Sequence, residues 1–306
     1  MDVNEREPDA PSSLAEQLTE LQARPIGDRR VDRARARLLT WAERATTWGP
    51  LAPAAEIGWQ TARRDAAIGG SVLAAALAYR IFIWLLPLAL CLVLGLGRVA
   101  DSSKVMDEAG LGGLVARSVA SASENVHGWA RVTGLVVAGF VLLYETYALL
   151  RAMRAVSSIA WGLPVQRTAR PGRDTAVALV GLLAFFALAS NGAAIRLHLA
   201  FPLDLVAWGT SFALLSGVFL AISWWLLPHA AERWSELAPG ALLMGAAVIL
   251  IGIVNWLVLF PWVSQKAQTY GVLGVAAGLL FGFFLIGRSI ELAASLNATL
   301  VERRAK

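Results

Sequence analysis

The sequence is poor in the residues on which most enzyme chemistry rests. It has one cysteine, Cys91, and three histidines, His127, His198 and His229, in 306 residues. A single thiol excludes an intrachain disulfide framework and a cysteine-built zinc site. No His or Asp cluster has metal-ligand spacing, and there is no Walker A motif, dinucleotide glycine fingerprint or nucleophile elbow. Charge is scarce as well. Charged residues make up 16% of the chain, where a soluble domain carries about a quarter. Apolar residues fill the gap: 57% of the chain is hydrophobic, with 27 Gly and 12 Trp. The mean hydropathy is +0.58. Gly is frequent in membrane helices, and Trp favours the headgroup boundary.

The apolar residues come in long runs rather than scattered as a soluble core requires. Six runs reach the roughly 20 residues that a bilayer-spanning helix needs. They cover 69–97, 132–153, 175–197, 205–227, 241–263 and 271–292. None alternates with period 2, which argues against a β-barrel. Helices satisfy their own backbone groups where hydrocarbon offers no partner. The fold class expected is therefore all-α, a polytopic membrane bundle of about six transmembrane helices with interfacial amphipathic helices. Its parts would be a mobile tail over 1–30, amphipathic helices over 31–66, a membrane domain over 67–300 and a basic tail over 301–306.

The net charge of +5 and isoelectric point near 9.9 fit nucleic acid or a membrane surface. Placement of the basic residues favours the membrane, and no nucleic-acid partner is expected. Ten Arg precede the first run. Arg154, Arg167, Arg170 and Arg173 follow the second, Arg233 the fourth, and Arg303, Arg304 and Lys306 the last. That side carries eighteen basic residues and the other side six. The richer side is expected to be cytoplasmic, with both termini inside. Trp placement agrees, with Trp59, Trp161, Trp224, Trp225 and Trp234 near inner ends and Trp129, Trp208 and Trp262 near outer ends.

The start of the chain has no apolar stretch of signal-peptide type. Further on, Val31, Ala34, Leu38, Trp41, Ala45 and Trp48 recur at helical spacing among arginines. They predict an amphipathic helix, lying either on the membrane or on the protein's own cytoplasmic face. A second short helix is predicted around 55–64, and an interfacial helix in the outer loop 98–131. Gly274, Gly278 and Gly282 repeat every four residues and form a candidate helix-packing face. Such a face serves packing within the chain or between two copies. Pro87 falls inside the first run, where it removes a helix hydrogen bond.

The most informative residues are charges inside the runs. Arg80 lies about eleven residues into the first, and Glu145 about thirteen into the second. The two helices run antiparallel, so the pair falls at similar depth. A charge at mid-membrane costs about 2.5–3.5 kcal/mol even on insertion scales, so both are expected to face the interior and meet. Their role is either a substrate or proton path or a structural ion pair. Asn191 and Asn255 complete this candidate intramembrane polar site. Arg288 and Glu291 sit near an inner end, able to snorkel to water or to pair with each other three residues apart.

Several short stretches stand out: Ala74-Ala75-Ala76-Leu77-Ala78-Tyr79 with Leu86-Pro87, Trp161-Gly162-Leu163, and Leu226-Leu227-Pro228 with Trp234. Leu237-Ala238-Pro239-Gly240-Ala241, Tyr270-Gly271-Val272-Leu273-Gly274 and Leu296-Asn297-Ala298 follow. In order and spacing they resemble the YihY/BrkB family of bacterial inner-membrane proteins. The resemblance covers about residues 58–301. It departs at Ser295, where the family usually has an acidic residue; Glu291, one turn earlier, is the candidate substitute. The resemblance implies a six-span inner-membrane protein associated with envelope integrity and with transport of lipid-like molecules. The family also carries a ribonuclease label, and the missing metal and acid–base constellations argue against it. Two functions follow as expectations: a transporter or flippase-like protein for a lipidic or amphipathic substrate, or a non-transporting envelope scaffold binding other membrane proteins. No catalytic residue, metal or cofactor is expected. Membrane lipids are the expected partners, with a homo-oligomer and other envelope proteins left open.

Overall fold

The computed structural model describes residues 52–96, 128–165, 170–195, 203–254 and 272–305. The expected amphipathic helix at 31–48, the outer loop to residue 127 and Asn255 lie outside the described residues. The chain divides into two compact units, Met1–Arg63 and Arg64–Lys306. In the first, Gln60 donates to Glu56 Oε1 at 3.1 Å and Thr61 Oγ1 to the Ile57 carbonyl at 2.8 Å, both one helical turn back.

Seven α-helices account for nearly all described residues, and no strand occurs among them. They are α1 (Ala52–Ile68), α2 (Gly70–Leu96), α3 (Trp129–Ala160), α4 (Pro171–Ile195), α5 (Leu203–Leu226), α6 (Ala238–Val254) and α7 (Val272–Ala305). Helices α2, α3, α4, α5 and α7 are long and apolar enough to cross a membrane, and α6 is a shorter apolar helix of 17 described residues. The protein is an all-α membrane helical bundle. Large apolar side chains point outward along it, among them Val136, Phe140, Val180 and Leu250. That surface is stable against hydrocarbon and costly against water.

Glycine sets two of the helix ends. Gly69 has φ 69°, a left-handed conformation without cost only for glycine, and it separates α1 from α2. Gly162, with φ 65°, closes α3. Its N–H donates to the Ile159 carbonyl at 3.1 Å and that of Leu163 to Ser158 at 2.8 Å, the paired bonds of a Schellman cap. The Trp161-Gly162-Leu163 stretch is thus a helix stop.

Helix α2 packs on α3 and α7, α6 on α5 and α7, and α4 on α3 and α5. The α2–α7 approach is close because Gly287 lies against Ala74. A Cβ there would stand 2.6 Å from the Ala74 carbonyl oxygen. Leu77, Trp84, Leu149, Leu150, Leu215 and Met244 fill the core. The Trp84 indole N–H is satisfied by Thr146 Oγ1 at 2.8 Å, whose own hydroxyl donates to the Leu142 carbonyl at 2.7 Å. Two helices outrun the apolar stretches that predict them. Helix α3 continues to Ala160, and α7 runs through the expected basic tail to Ala305. At 34 residues and 1.5 Å each, α7 is about 51 Å long, beyond a hydrocarbon core of about 30 Å.

Candidate functional site

Polar groups gather at three places in the unit formed by residues 64–306. The first joins the end of α1 to α7. Gly69 folds α2 away from α1, which leaves Asp65 beside the first turn of α2. The two terminal nitrogens of Arg288 donate to the two carboxylate oxygens of Asp65, a bidentate pair. Arg288 Nη1 also donates to Glu291 Oε2 at 3.0 Å, and Ser295 Oγ donates to Glu291 Oε1 at 2.7 Å. Glu291 is 0% exposed. Gly70 closes over the cluster. A Cβ there would collide with the Asp65, Arg288 and Glu291 side chains.

The sequence left Arg288 and Glu291 either to snorkel or to pair with each other. They do pair with each other, but Glu291 is sealed from water and Asp65 is the stronger partner of Arg288. Sequence reasoning missed Asp65 because its partner lies 223 residues away. The available signal was an acid directly after Arg63-Arg64, just before a membrane run. Ser295 stands one turn after Glu291 on the same face of α7 and donates to it.

Burial works to raise the Asp65 carboxyl, but the hydrogen bonds and charge of Arg288 outweigh it and hold it below the ordinary 3.8. A carboxyl lowered on folding stabilises the protein fully above its unfolded value, and that stability is lost as pH falls through the lower folded value. The melting temperature of the wild type in detergent is therefore expected to fall more steeply below about pH 4 than that of Asp65→Asn. The variant melts lower at pH 7. Parallel curves from pH 7 to 3 would show that Asp65 does not contribute this way.

Neighbouring contacts tie the same end together. Arg64 Nε donates to the Ala160 carbonyl at 2.7 Å and its Nη1 to Glu302 Oε1 at 2.6 Å. Arg154 Nη1 stands 3.4 Å from Asp174 Oδ2. The ends of α1, α3 and α7 and the start of α4, all arginine-rich, thus share one end of the bundle.

The second place is the pair predicted inside the runs. Arg80 Nη1 lies 3.9 Å from Glu145 Oε2, so α2 and α3 do bring them together. Their burial differs from the expectation. Glu145 is tucked in, with 14% of its side chain exposed, but Arg80 is 44% exposed. Val72, Tyr79, Leu86 and Leu90 are exposed on α2 at helical spacing, and Arg80 belongs to this outward stripe. The contact is ionic without being a hydrogen bond. Glu145 Oε2 is buried with no hydrogen-bond partner, and Arg80 donates no hydrogen bond among the described residues. Asn191, the third predicted member, falls within α4.

Of the predicted glycine face on α7, Gly278 is buried, and a Cβ at Gly282 would meet nothing within 4 Å. The close approaches are at Gly287, against Ala74, and at Gly240 of α6, where a Cβ would stand 2.5 Å from the Ala293 carbonyl oxygen. A four-residue glycine repeat shows that a face is small, not that another backbone lies on it.

The third place is the corner between α5, α6 and the end of α7. The Gly240 N–H donates to Asn297 Oδ1 at 2.8 Å, and Asn297 Nδ2 donates to the Leu237 carbonyl at 3.2 Å. Asn297 thereby satisfies the Gly240 N–H, which no helix turn can reach, and adds a second donor to the Leu237 carbonyl, which also accepts the Ala241 N–H. Beside it a pocket is lined by Ser157, Trp161, Ser223, His229 and Asn297 with apolar neighbours. His229 stacks on Trp224 with centroids 5.0 Å apart, and its Nε2 lies 3.3 Å from the Trp224 carbonyl. Among the described residues no three His, Cys, Asp or Glu side chains are grouped to hold a metal ion.

The family model described as Virulence factor BrkB matches residues 62–306. No curated protein and no solved structure matches the chain.

Proposed function

The chain belongs to the BrkB virulence-factor family, a family of membrane proteins, and from that premise we propose that it moves a lipidic or amphipathic substrate across the bacterial inner membrane. One observation carries the proposal: a half-exposed arginine in the outward stripe of a membrane helix, beside a carboxylate with an unsatisfied buried oxygen. A structural ion pair is expected to be dry, closed and fully hydrogen-bonded, because removing two charges from solvent is expensive. The Asp65–Arg288–Glu291 cluster comes near that description, with every carboxylate oxygen hydrogen-bonded, Glu291 fully buried and 27% of the Arg288 side chain exposed. Arg80 and Glu145 do not, and polar groups left open inside a membrane are what a passing substrate needs. The arginine-rich end is assigned to the cytoplasm by the positive-inside rule, with both termini on that side.

A non-transporting envelope scaffold is the second reading, and the tightly closed Gly70, Gly240 and Gly287 contacts favour it. Reconstitution separates the two. Vesicles holding the purified protein are expected to exchange fluorescent phospholipid between leaflets faster than protein-free vesicles. Equal rates for every envelope lipid tested would leave the scaffold.

A further inference from the structure

We infer that the outward face at Arg80 binds the anionic headgroup of a phosphate-bearing membrane lipid, received between α2 and α3. The inference rests on the transport reading and names the chemistry of its substrate.

The Arg80 guanidinium carries five donors in a planar fork that matches the oxygens of a phosphate. Among the described residues none of those donors is hydrogen-bonded, and the one nearby acid stands 3.9 Å away. Glu145 keeps the guanidinium near α3 and leaves its donors free to turn to an anion. In these low-polarity surroundings a charged hydrogen bond is worth more than in water. A second cation lies on α3. Arg151 is exposed, and its guanidinium carbon stands 5.8 Å from the centre of the Tyr147 ring. Six residues on from Glu145, it stands about 9 Å further along the axis towards the arginine-rich end and about 120° round the helix. It adds positive charge near that end of α3, and Arg80 lies deeper in.

The surroundings select the lipid as the source of the anion. Tyr79, Leu86, Phe140 and Tyr144 are exposed around the site, so a free aqueous anion would shed its hydration into an apolar face. A lipid brings acyl chains that cover it. A second copy of the chain fits poorly. Of the cations on α2 and α3, Arg154 is paired with Asp174 and Arg131 donates to the Leu94 carbonyl, so Arg80 and Arg151 are the ones that a second copy would bring against each other.

The test uses the full-length protein, stripped of lipid in mild detergent and examined by native mass spectrometry. Phosphatidylglycerol, phosphatidylcholine and inorganic phosphate are each titrated in. Phosphatidylglycerol is expected to be retained about tenfold better than phosphatidylcholine, whose quaternary ammonium offsets the charge on the same phosphate, a difference of about 1.4 kcal/mol. Arg80→Gln is expected to remove the preference, Arg151→Gln to weaken it, and millimolar inorganic phosphate to leave it unchanged. Equal retention of the two lipids by the wild type overturns the inference, and that comparison needs no folded variant. So does displacement by inorganic phosphate, or a lipid-free dimer that Arg80→Gln dissolves. Phosphatidylglycerol that binds but never changes leaflet would sink the transport reading and leave this one standing. Transport indifferent to headgroup charge would do the reverse.

Discussion

Arg288→Ala is expected to be the most damaging single substitution in the bundle, lowering stability by about 3–5 kcal/mol, the usual cost of stranding one side of a buried ion pair. The reason lies in what stays behind. Asp65 loses both of its Arg288 hydrogen bonds, and Glu291, 0% exposed, keeps only the Ser295 hydroxyl. Two carboxylates would then share a pocket closed by Gly70, with no cation among them. Thermal unfolding in detergent, followed by Trp fluorescence, reads the effect. Arg288→Lys should recover part of the loss, since an ammonium keeps the charge but not the bidentate fork. Removing the acids along with the cation, as Asp65→Asn, Arg288→Met and Glu291→Gln together, should recover most of it, because no stranded charge remains. A loss below about 0.5 kcal/mol, the range of ordinary surface substitutions, would show that the cluster is not what holds α1 against α7.

That cluster also marks the boundary of what the sequence disclosed. The membrane helices were legible because hydrocarbon imposes long apolar runs, and α2 and α5 fall within two residues of the runs that predict them. The helix ends were less so. The apolar signal stops where the bilayer stops, but α3 and α7 continue as helix on polar surfaces that carry no such signal. The Arg80–Glu145 pairing was legible from depth alone, two charges midway along antiparallel helices. Which of the two would be exposed was not. Insertion cost argues that both turn inward, whereas the fold buries the acid and leaves the base on the outward stripe. Asp65 escaped notice because a contact across 223 residues leaves no local pattern. Spacing pointed to Gly282 and passed over Gly240 and Gly287, since close approach belongs to the partner helix.

On the transport proposal Arg80 and Glu145 form the working site and the Asp65–Arg288–Glu291 cluster a structural one. Asp65, Arg288 and Glu291 are joined by hydrogen bonds. Arg80 and Glu145 are adjacent without a hydrogen bond between them, with Glu145 tucked in and Arg80 on the outward stripe. If they act together on a substrate, neither is useful without the other, and losses on removing each must not add. The direct measurement is a double-mutant cycle on lipid flux in reconstituted vesicles, with wild type, Arg80→Ala, Glu145→Ala and the double variant. Arg80→Ala is expected to slow flux at least about tenfold, a change of about 1.4 kcal/mol in the barrier, with the thermal melt little changed. The double variant should be no slower than the worse single one, which corresponds to a coupling of about 0.5–3 kcal/mol. Strictly multiplying losses, or full flux with Arg80 removed, would contradict the account.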